Sequence, residues 1–329
     1  MGVARITTIA IALIALFSAS QITRAQVPVA WKPTGNVEFF VGAGAGGEND
    51  RIARAIQRVL SKEHLVDSMS VLNKPGAAQI IAMTDLSRKE GDPNEIGLAS
   101  GSFINAIARK GLDLNKQLTP LVKLFDAYQC YFTSVDSPLK NMLDVRERLK
   151  KDPGSVTFAF PVGLGSPLHV SVVNVGKTAG APPNKLVTVV FDSGSDVSAQ
   201  AAGGHIDVGE TSIGSAMPLI QGGKLRMLGI ASPERLSGEL ANFPTLREQG
   251  LDVVTANSYT VILPNGLKPG EIAFWARALD QVMQDPDFKA DLDRNFWTLR
   301  PIRYPQAAAW MQSDYDDNRR VLTELGMLE

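Results

Sequence analysis

The sequence contains little cysteine, histidine or aromatic side chain, and its charges nearly cancel. Its 329 residues include one Cys, Cys130, three His and 7% aromatic residues. A single Cys cannot form an internal disulfide, and with three separated His it excludes the cysteine-rich zinc sites. We therefore expect no metal site and no cofactor. The 33 Lys and Arg balance 34 Asp and Glu, and without a long basic run the sequence predicts no nucleic-acid partner.

The first 25 residues have the pattern of an export signal. Arg5 precedes the apolar run at 9–17, and small and polar residues follow as far as Ala25. The run is about half the ~20 residues that span a bilayer, so we predict a cleaved signal peptide over 1–25 instead of a membrane anchor. We expect the mature chain to be exported and to have no stable membrane insertion.

Short apolar strands alternate with helical patterns along the rest of the chain. Residues 37–41 are predicted to form a strand, 42–47 a glycine loop, and 50–60 a helix with apolar residues at helical spacing. Segments 199–208 and 216–230 both have the pattern of a helix, a Gly-Gly stop and a strand. The alternation predicts an α/β fold with a mostly parallel sheet. The length predicts two domains, and because no linker separates them, the chain is expected to cross between them more than once.

The glycine loop matches G-x-G-x-x-G at Gly42, Gly44 and Gly47, and Asp67 follows about 20 residues later, as in a dinucleotide-binding fingerprint. Asp67 precedes the second apolar strand instead of ending it, which argues against dinucleotide binding. Amides at a helix N-terminus offer unpaired donors and a positive dipole end to an anion. The loop therefore indicates carboxylate or phosphate capture, with a tight strand-to-helix turn as the alternative.

A second loop, residues 163–169, also lies between a predicted strand and a predicted helix. Two such loops facing a cleft would suit a ligand with two anionic ends. Ser166 does not match the G-x-S-x-G elbow, so hydrolysis has no sequence signature. His169 is expected either to orient the loop by hydrogen bonding or to touch the ligand directly.

Two acidic residues follow the first loop. Asp50 begins the predicted helix, where a carboxylate interacts favourably with the helix dipole. Glu48 would repel an anion at the same place. We expect Glu48 either to face solvent or to meet a cationic part of the ligand.

Seven motifs occur in the order typical of one family. They are FVGAGAGGENDRIAR at 40–54, NKPGA at 73–77, GLGSPLH at 163–169, GGHID at 203–207, GGKLR at 222–226, ASPER at 231–235 and FPTLREQG at 243–250. The chain resembles the extracytoplasmic substrate-binding proteins of tripartite tricarboxylate transporters, the Bug or TctC type. The resemblance implies a non-enzymatic periplasmic protein with a type II periplasmic binding-protein-like fold. Such a fold has two α/β lobes, two crossover segments and a ligand cleft between the lobes. The implied division is a signal peptide at 1–25, lobe 1 at 26–128 plus 256–329, and lobe 2 at 129–255.

The resemblance also implies a function and a set of binding residues. The function is capture of a small organic carboxylate (a di- or tricarboxylate, an aromatic acid or an amino acid) for uptake by tripartite tricarboxylate-type permease subunits. A ligand-presenting sensor of the same fold is the alternative, and an exported dinucleotide-dependent or hydrolytic enzyme is a remote one. The implied ligand-binding residues are Ala45, Gly46, Gly47 and Asn49 in the first loop, Gly165, Ser166 and His169 in the second, and Ser100, Ser102, Asp192, Ser193 and Thr211 at strand ends.

The chain departs from the family pattern at three places. Family members usually have Pro and an aromatic at the positions of Gly42 and Ala43, a small polar residue at Glu48, and a Gly pair at Ala78 and Gln79. These departures predict a wider and more acidic mouth to the pocket.

Overall fold

Buried apolar strands and amphipathic helices alternate along the chain, as the sequence predicts. The computed structural model describes residues 31–161 and 163–329, and the predicted signal peptide lies outside them. None of the described helices is long and apolar enough to cross a membrane. The strands are β1 (Asn36–Val41), β2 (Ser68–Asn73), β3 (Glu95–Ser100), β4 (Leu118–Ser134), β5 (Thr157–Pro161), β6 (Val187–Phe191), β7 (Val208–Ser212), β8 (Leu225–Ile230), β9 (Ala256–Pro264) and β10 (Thr298–Arg303). The helices are α1 (Glu48–Lys62), α2 (Ile80–Ser87), α3 (Gly101–Lys110), α4 (Met142–Lys151), α5 (Pro167–Thr178), α6 (Gly194–Ala202), α7 (Ile213–Gln221), α8 (Pro269–Gln284), α9 (Pro286–Arg294) and α10 (Gln306–Glu324).

The strands form a sheet in the order β2-β1-β3-β9-β4-β7-β5-β6, and β8 and β10 also pair with β4. The pairs at the two ends, β1 with β2 and β3, and β5 with β6 and β7, are parallel. The pairs that β4 and β9 make are antiparallel. The α/β prediction is confirmed, whereas a mostly parallel sheet is wrong for the centre, because two long strands run back through it.

The strand β4 changes its partners in mid-course. Residues 118–128 pair with β9, and residues 129–134 pair with β7 and β8. The chain passes the same level again just before β9, where the Gln129 amide donates to the Thr255 carbonyl at 3.2 Å. The predicted lobe boundaries, 128/129 and 255/256, coincide with this change of strand partners and with the Gln129–Thr255 hydrogen bond. The division into lobes itself stays a prediction.

Side chains that alternate along the strands enter cores on opposite faces of the sheet. Phe39 packs with α1, α8 and α9, whereas the next residue, Phe40, packs with α2, α3 and α10. Tyr131 packs with α4 and α5, and Phe132 with α6 and α7. Cys130 is fully buried on the Phe132 face, and burial raises the pKa of its thiol. Helices therefore cover both faces of the sheet. Several of them begin shortly after a strand, so their N-termini lie near the strand ends.

Candidate functional site

Five helices begin at the wall of one cavity of about 240 Å³. Each contributes its N-cap residue or a residue of its first turn. These residues are Glu48 of α1, Ser102 of α3, Pro167 and Leu168 of α5, Ser193 and Gly194 of α6, and Ser212 and Ser215 of α7. Helix N-termini expose unpaired N–H groups and the positive end of the dipole. These helix starts therefore favour an anion, although none of the described Lys, Arg or His side chains lines the cavity and two carboxylates, Glu48 and Asp192, do.

The first-turn amides of three of these helices have no side-chain cap. The N-cap residues Gly47 of α1, Ser100 of α3 and Ser212 of α7 make no capping hydrogen bond from their side chains. A helix start without a cap leaves donors that water or a ligand must satisfy. These three helix starts are consequently the best placed to donate to a bound anion.

The first glycine loop uses part of its donors internally. The Gly46 amide donates to Oδ2 of Asp50 at 2.8 Å, and the Gly47 amide donates to the Gly44 carbonyl at 3.0 Å. Burial raises the pKa of Asp50, but hydrogen bonds from Arg54, Gly46 and Asn73 outweigh it and lower the pKa to about 2. The buried carboxylate of Asp50 thus fixes the loop, in agreement with its predicted place at the helix start.

None of the first-loop residues 42–47 lines the cavity, whereas Glu48, which follows the loop, does. The four residues to which the resemblance gives a ligand role, Ala45, Gly46, Gly47 and Asn49, lie outside the lining. Their contact with ligand stays a prediction.

In the second loop, a histidine holds the backbone. The Gly165 amide donates to Nδ1 of His169 at 3.0 Å, and Ser166 caps α5 by accepting from the His169 amide at 3.3 Å. The imidazole is buried and stacks on Phe160, with ring centroids 5.4 Å apart, and burial lowers its pKa. The hydrogen bond at Nδ1 fits the loop-orienting role expected of His169, and contact of His169 with ligand stays a prediction. Pro167 and Leu168 line the cavity in its stead.

Two hydrogen bonds with the Gln79 side chain hold Ser100 in place. The Ser100 amide donates to Oε1 of Gln79 at 3.2 Å, and the Ser100 hydroxyl accepts from Nε2 of Gln79. Gln79 has φ of 77° and Ala78 has φ of 48°, a left-handed backbone that costs a residue with a Cβ and suits glycine. A Gly pair, which the resemblance implies at these two positions, would adopt this conformation without that cost. Ser102, two residues after Ser100, reaches the cavity wall.

The three predicted residues of the later strand ends come together at the cavity. Asp192, Ser193 and Thr211 all line it. Asp192 is exposed and Thr211 is buried. Ser193 also caps α6 by accepting from the Asp196 amide at 3.1 Å.

The sequence reasoning missed the contribution of β4 and β9. Gln129, Thr255 and Asn257 line the cavity. Behind them, the fully buried Tyr259 donates from its hydroxyl to Oε2 of Glu48 at 2.5 Å and accepts from Nδ2 of Asn257 at 2.7 Å. The available signal was the run of polar residues, Asn257 and its neighbours, that opens an otherwise apolar strand.

A side chain at Gly194 would obstruct this wall. A Cβ there would lie 2.1 Å from Oγ1 of Thr211 and 2.9 Å from Oγ of Ser215. We expect Gly194→Ala to lower the free energy of unfolding by about 1–3 kcal/mol, because the packed side chains of Thr211 and Ser215 must move to make room for the added Cβ. Gly270→Ala is the matched control, since Gly270 also lies in a first helical turn but has nothing within 4 Å of such a Cβ. Equal stability of the two variants in urea unfolding would contradict the expectation.

Comparisons with known proteins agree with this architecture. The family model for the tripartite tricarboxylate transporter family receptor, TctC, matches residues 52–327. The protein BugT of Bordetella pertussis is 25% identical over 283 residues, which are 83% of this chain and 84% of that protein.

Three solved structures have a similar fold. A TctC solute-binding protein from Polaromonas has a TM-score of 0.78 and 21% identity, over 89% of this chain and 99% of that one. MatC from Rhodopseudomonas palustris with bound malate has a TM-score of 0.67 and 19% identity, over 87% and 99% of the two chains. A second protein from that organism, solved with adipate, has a TM-score of 0.70 and 19% identity, over 89% and 98%.

The predictions of fold class and family are both confirmed. Periplasmic binding proteins of the TctC type share this fold, and the family is one of periplasmic solute-binding receptors and not of enzymes. The chain belongs to the tripartite tricarboxylate transporter receptor family.

Proposed function

We propose that the protein captures a small organic carboxylate in the periplasm and delivers it to permease subunits of a tripartite tricarboxylate transporter. The observation that carries this proposal is the convergence of five helix N-termini on one cavity of about 240 Å³. A carboxylate at a helix N-terminus gains about 0.3–1 kcal/mol per helix, and up to ~2 kcal/mol where it is partly buried. Two proteins of similar fold were solved with the carboxylates malate and adipate.

Both predicted lobes contribute helix starts to the cavity. The helix starts of α1 and α3 fall in predicted lobe 1, and those of α5, α6 and α7 fall in predicted lobe 2. A ligand held at one group of helix starts gains contacts at the other only when the lobes approach each other. Because a ligand shifts an equilibrium by its difference in affinity for the two states, binding would favour the closed arrangement.

The proposal is tested by a thermal-shift screen of the mature chain, starting at Gln26. The panel contains mono-, di- and tricarboxylates, aromatic acids, amino acids and nicotinamide dinucleotides. A ligand at 100 times its dissociation constant adds about 2.7 kcal/mol to the free energy of unfolding. We expect a selective shift with one class of organic acid.

A shift with dinucleotide and with none of the acids would contradict the proposal. The Gly194→Ala variant tests whether the acid binds in this cavity, because only the cavity wall is changed in it. Its shift with the selected acid should be smaller than that of the unchanged chain.

A further inference from the structure

The cavity wall contains a carboxylate that is held firmly in place. Glu48 is the first residue of α1 and is half-buried at the wall. Its Oε2 accepts the hydrogen bond of the Tyr259 hydroxyl, and Asn257 in turn donates to that hydroxyl. Because Tyr259 is fully buried in the core, this arrangement fixes the Glu48 side chain at the cavity instead of leaving it to turn into solvent.

Among the described residues, the acidic side chains that line this cavity have no ion-pair partner within 4.0 Å. Its lining includes two carboxylates, Glu48 and Asp192, and none of the described Lys, Arg or His residues. Arg51 and Arg294 line an adjoining cavity of about 470 Å³ that shares Glu48. Arg51 donates to the Gly46 carbonyl at 2.9 Å, and Arg294 pairs with Asp291. Neither guanidinium group forms an ion pair with Glu48, although the charge of Arg51 remains in the adjoining cavity.

The wall therefore offers two kinds of binding group. The helix starts, with their amide donors, suit a carboxylate, whereas Glu48 and Asp192 suit a positively charged donor and repel a second carboxylate. The volume of about 240 Å³ lies below the range of drug-sized pockets. A small molecule with both charges is complementary to this wall, and a di- or tricarboxylate without a cationic group is not.

We propose that the ligand is a small amino carboxylate whose ammonium group donates to Glu48. The inference rests on the carboxylate-binding function proposed above and names the class of acid. Glu48 is then the residue that selects aminated acids over acids of the same skeleton without the nitrogen. Asp192, which comes from the opposite predicted lobe, adds a second acceptor when the lobes approach.

The test compares pairs of acids that differ only in the amino group. Isothermal titration of the mature chain uses aspartate with succinate, glutamate with glutarate, and leucine with 4-methylpentanoate. For at least one pair we expect the aminated acid to bind at least about tenfold more tightly. In Glu48→Gln, which keeps the size of the side chain and an acceptor for Tyr259, this preference should fall by about tenfold or more.

The same variant should gain affinity for the partner acid that lacks the amino group, because a repelling charge is removed. A misfolded variant could not show such a gain. Glu63→Gln is the matched control, since Glu63 is exposed and follows the last turn of the same helix, and it should bind like the unchanged chain.

Two results would overturn the inference, and they have different meanings. If acids without nitrogen bind the unchanged chain as tightly as their aminated partners, the inference that the ligand is an amino carboxylate is wrong, while the proposed capture of a carboxylate stands. If no acid of either kind binds, the proposed function fails with it.

Discussion

Replacing Lys123 by methionine is expected to lower the free energy of unfolding by about 3–5 kcal/mol. The Lys123 Nζ lies 2.6 Å from Oδ2 of Asp126, and the two side chains are only 6% and 7% exposed. Asp126 also accepts from the hydroxyls of Ser258, at 2.6 Å, and Tyr128, at 3.3 Å. Without Lys123, a buried carboxylate would keep these hydrogen bonds but lose its ion-pair partner, and the more distant charge of Arg300 would be left near it. The lost ion pair lies in the part of β4 that pairs with β9, at the centre of the sheet.

Urea unfolding measures this effect, and two further variants interpret it. In Lys116→Met the lost ion pair with Asp113 is 62% and 63% exposed, so we expect a change below about 1 kcal/mol. Lys123→Met combined with Asp126→Asn should recover most of the lost stability, because the uncompensated charge is gone. Equal losses for Lys116→Met and Lys123→Met would show that burial of the pair has no energetic consequence.

Glu210 is expected to make the protein less stable as the pH rises from 5 to 8. The side chain is fully buried on β7, and neither carboxyl oxygen makes a hydrogen bond of good geometry. Burial raises its pKa from 4.5 to about 8, and the nearby hydroxyls of Ser171 and Tyr131 offset only part of this rise. The unfolded chain therefore ionises Glu210 near pH 4.5, while the folded chain keeps it protonated up to about pH 8.

The sign of the pH effect follows from this difference in pKa. The contribution of Glu210 is fully present below pH 4.5 and is lost as the pH rises through the folded pKa of about 8. At about 1.4 kcal/mol per pH unit, the loss between pH 5 and pH 8 is about 4 kcal/mol.

Glu210→Gln removes the titration and keeps the shape of the side chain. Its free energy of unfolding, relative to that of the unchanged chain, should improve by about 4 kcal/mol between pH 5 and pH 8. Glu90→Gln, at an exposed position in the loop between α2 and β3, is the control, and its pH curve should follow that of the unchanged chain. Parallel pH curves for the unchanged chain and Glu210→Gln would mean that the buried carboxyl does not titrate in this window.

Local patterns predict the elements of this fold well, because strand and helix periodicities depend on near neighbours. The helix predicted at 50–60 is found at Glu48–Lys62, and the strand predicted at 37–41 is found at Asn36–Val41. The pairing of β4 with β9 is different, since its partners are more than a hundred residues apart along the chain. A local sequence pattern does not show whether two such distant strands run parallel or antiparallel. The alternation of strands and helices alone therefore led to the prediction of a mostly parallel sheet.

The site is predictable to a similar degree. Glycine and serine before a helical pattern mark where amides are exposed, and this reasoning located both loops. It does not reveal which amides another side chain already uses, as Asp50 uses that of Gly46 and His169 uses that of Gly165. The partner of Glu48 is Tyr259, 211 residues later, so the fixed position of the Glu48 carboxylate becomes visible only in the folded chain.

The close approach of positions 42 and 79 links the glycine loop to the start of α3. A Cβ at position 42 would lie 2.4 Å from Cβ and 2.6 Å from Cα of Gln79, so a side chain at 42 fits only if the backbone at 79 moves. Because the Gln79 side chain holds Ser100, such a movement would also displace Ser100. A substitution at position 42 therefore disturbs a helix start that it does not contact.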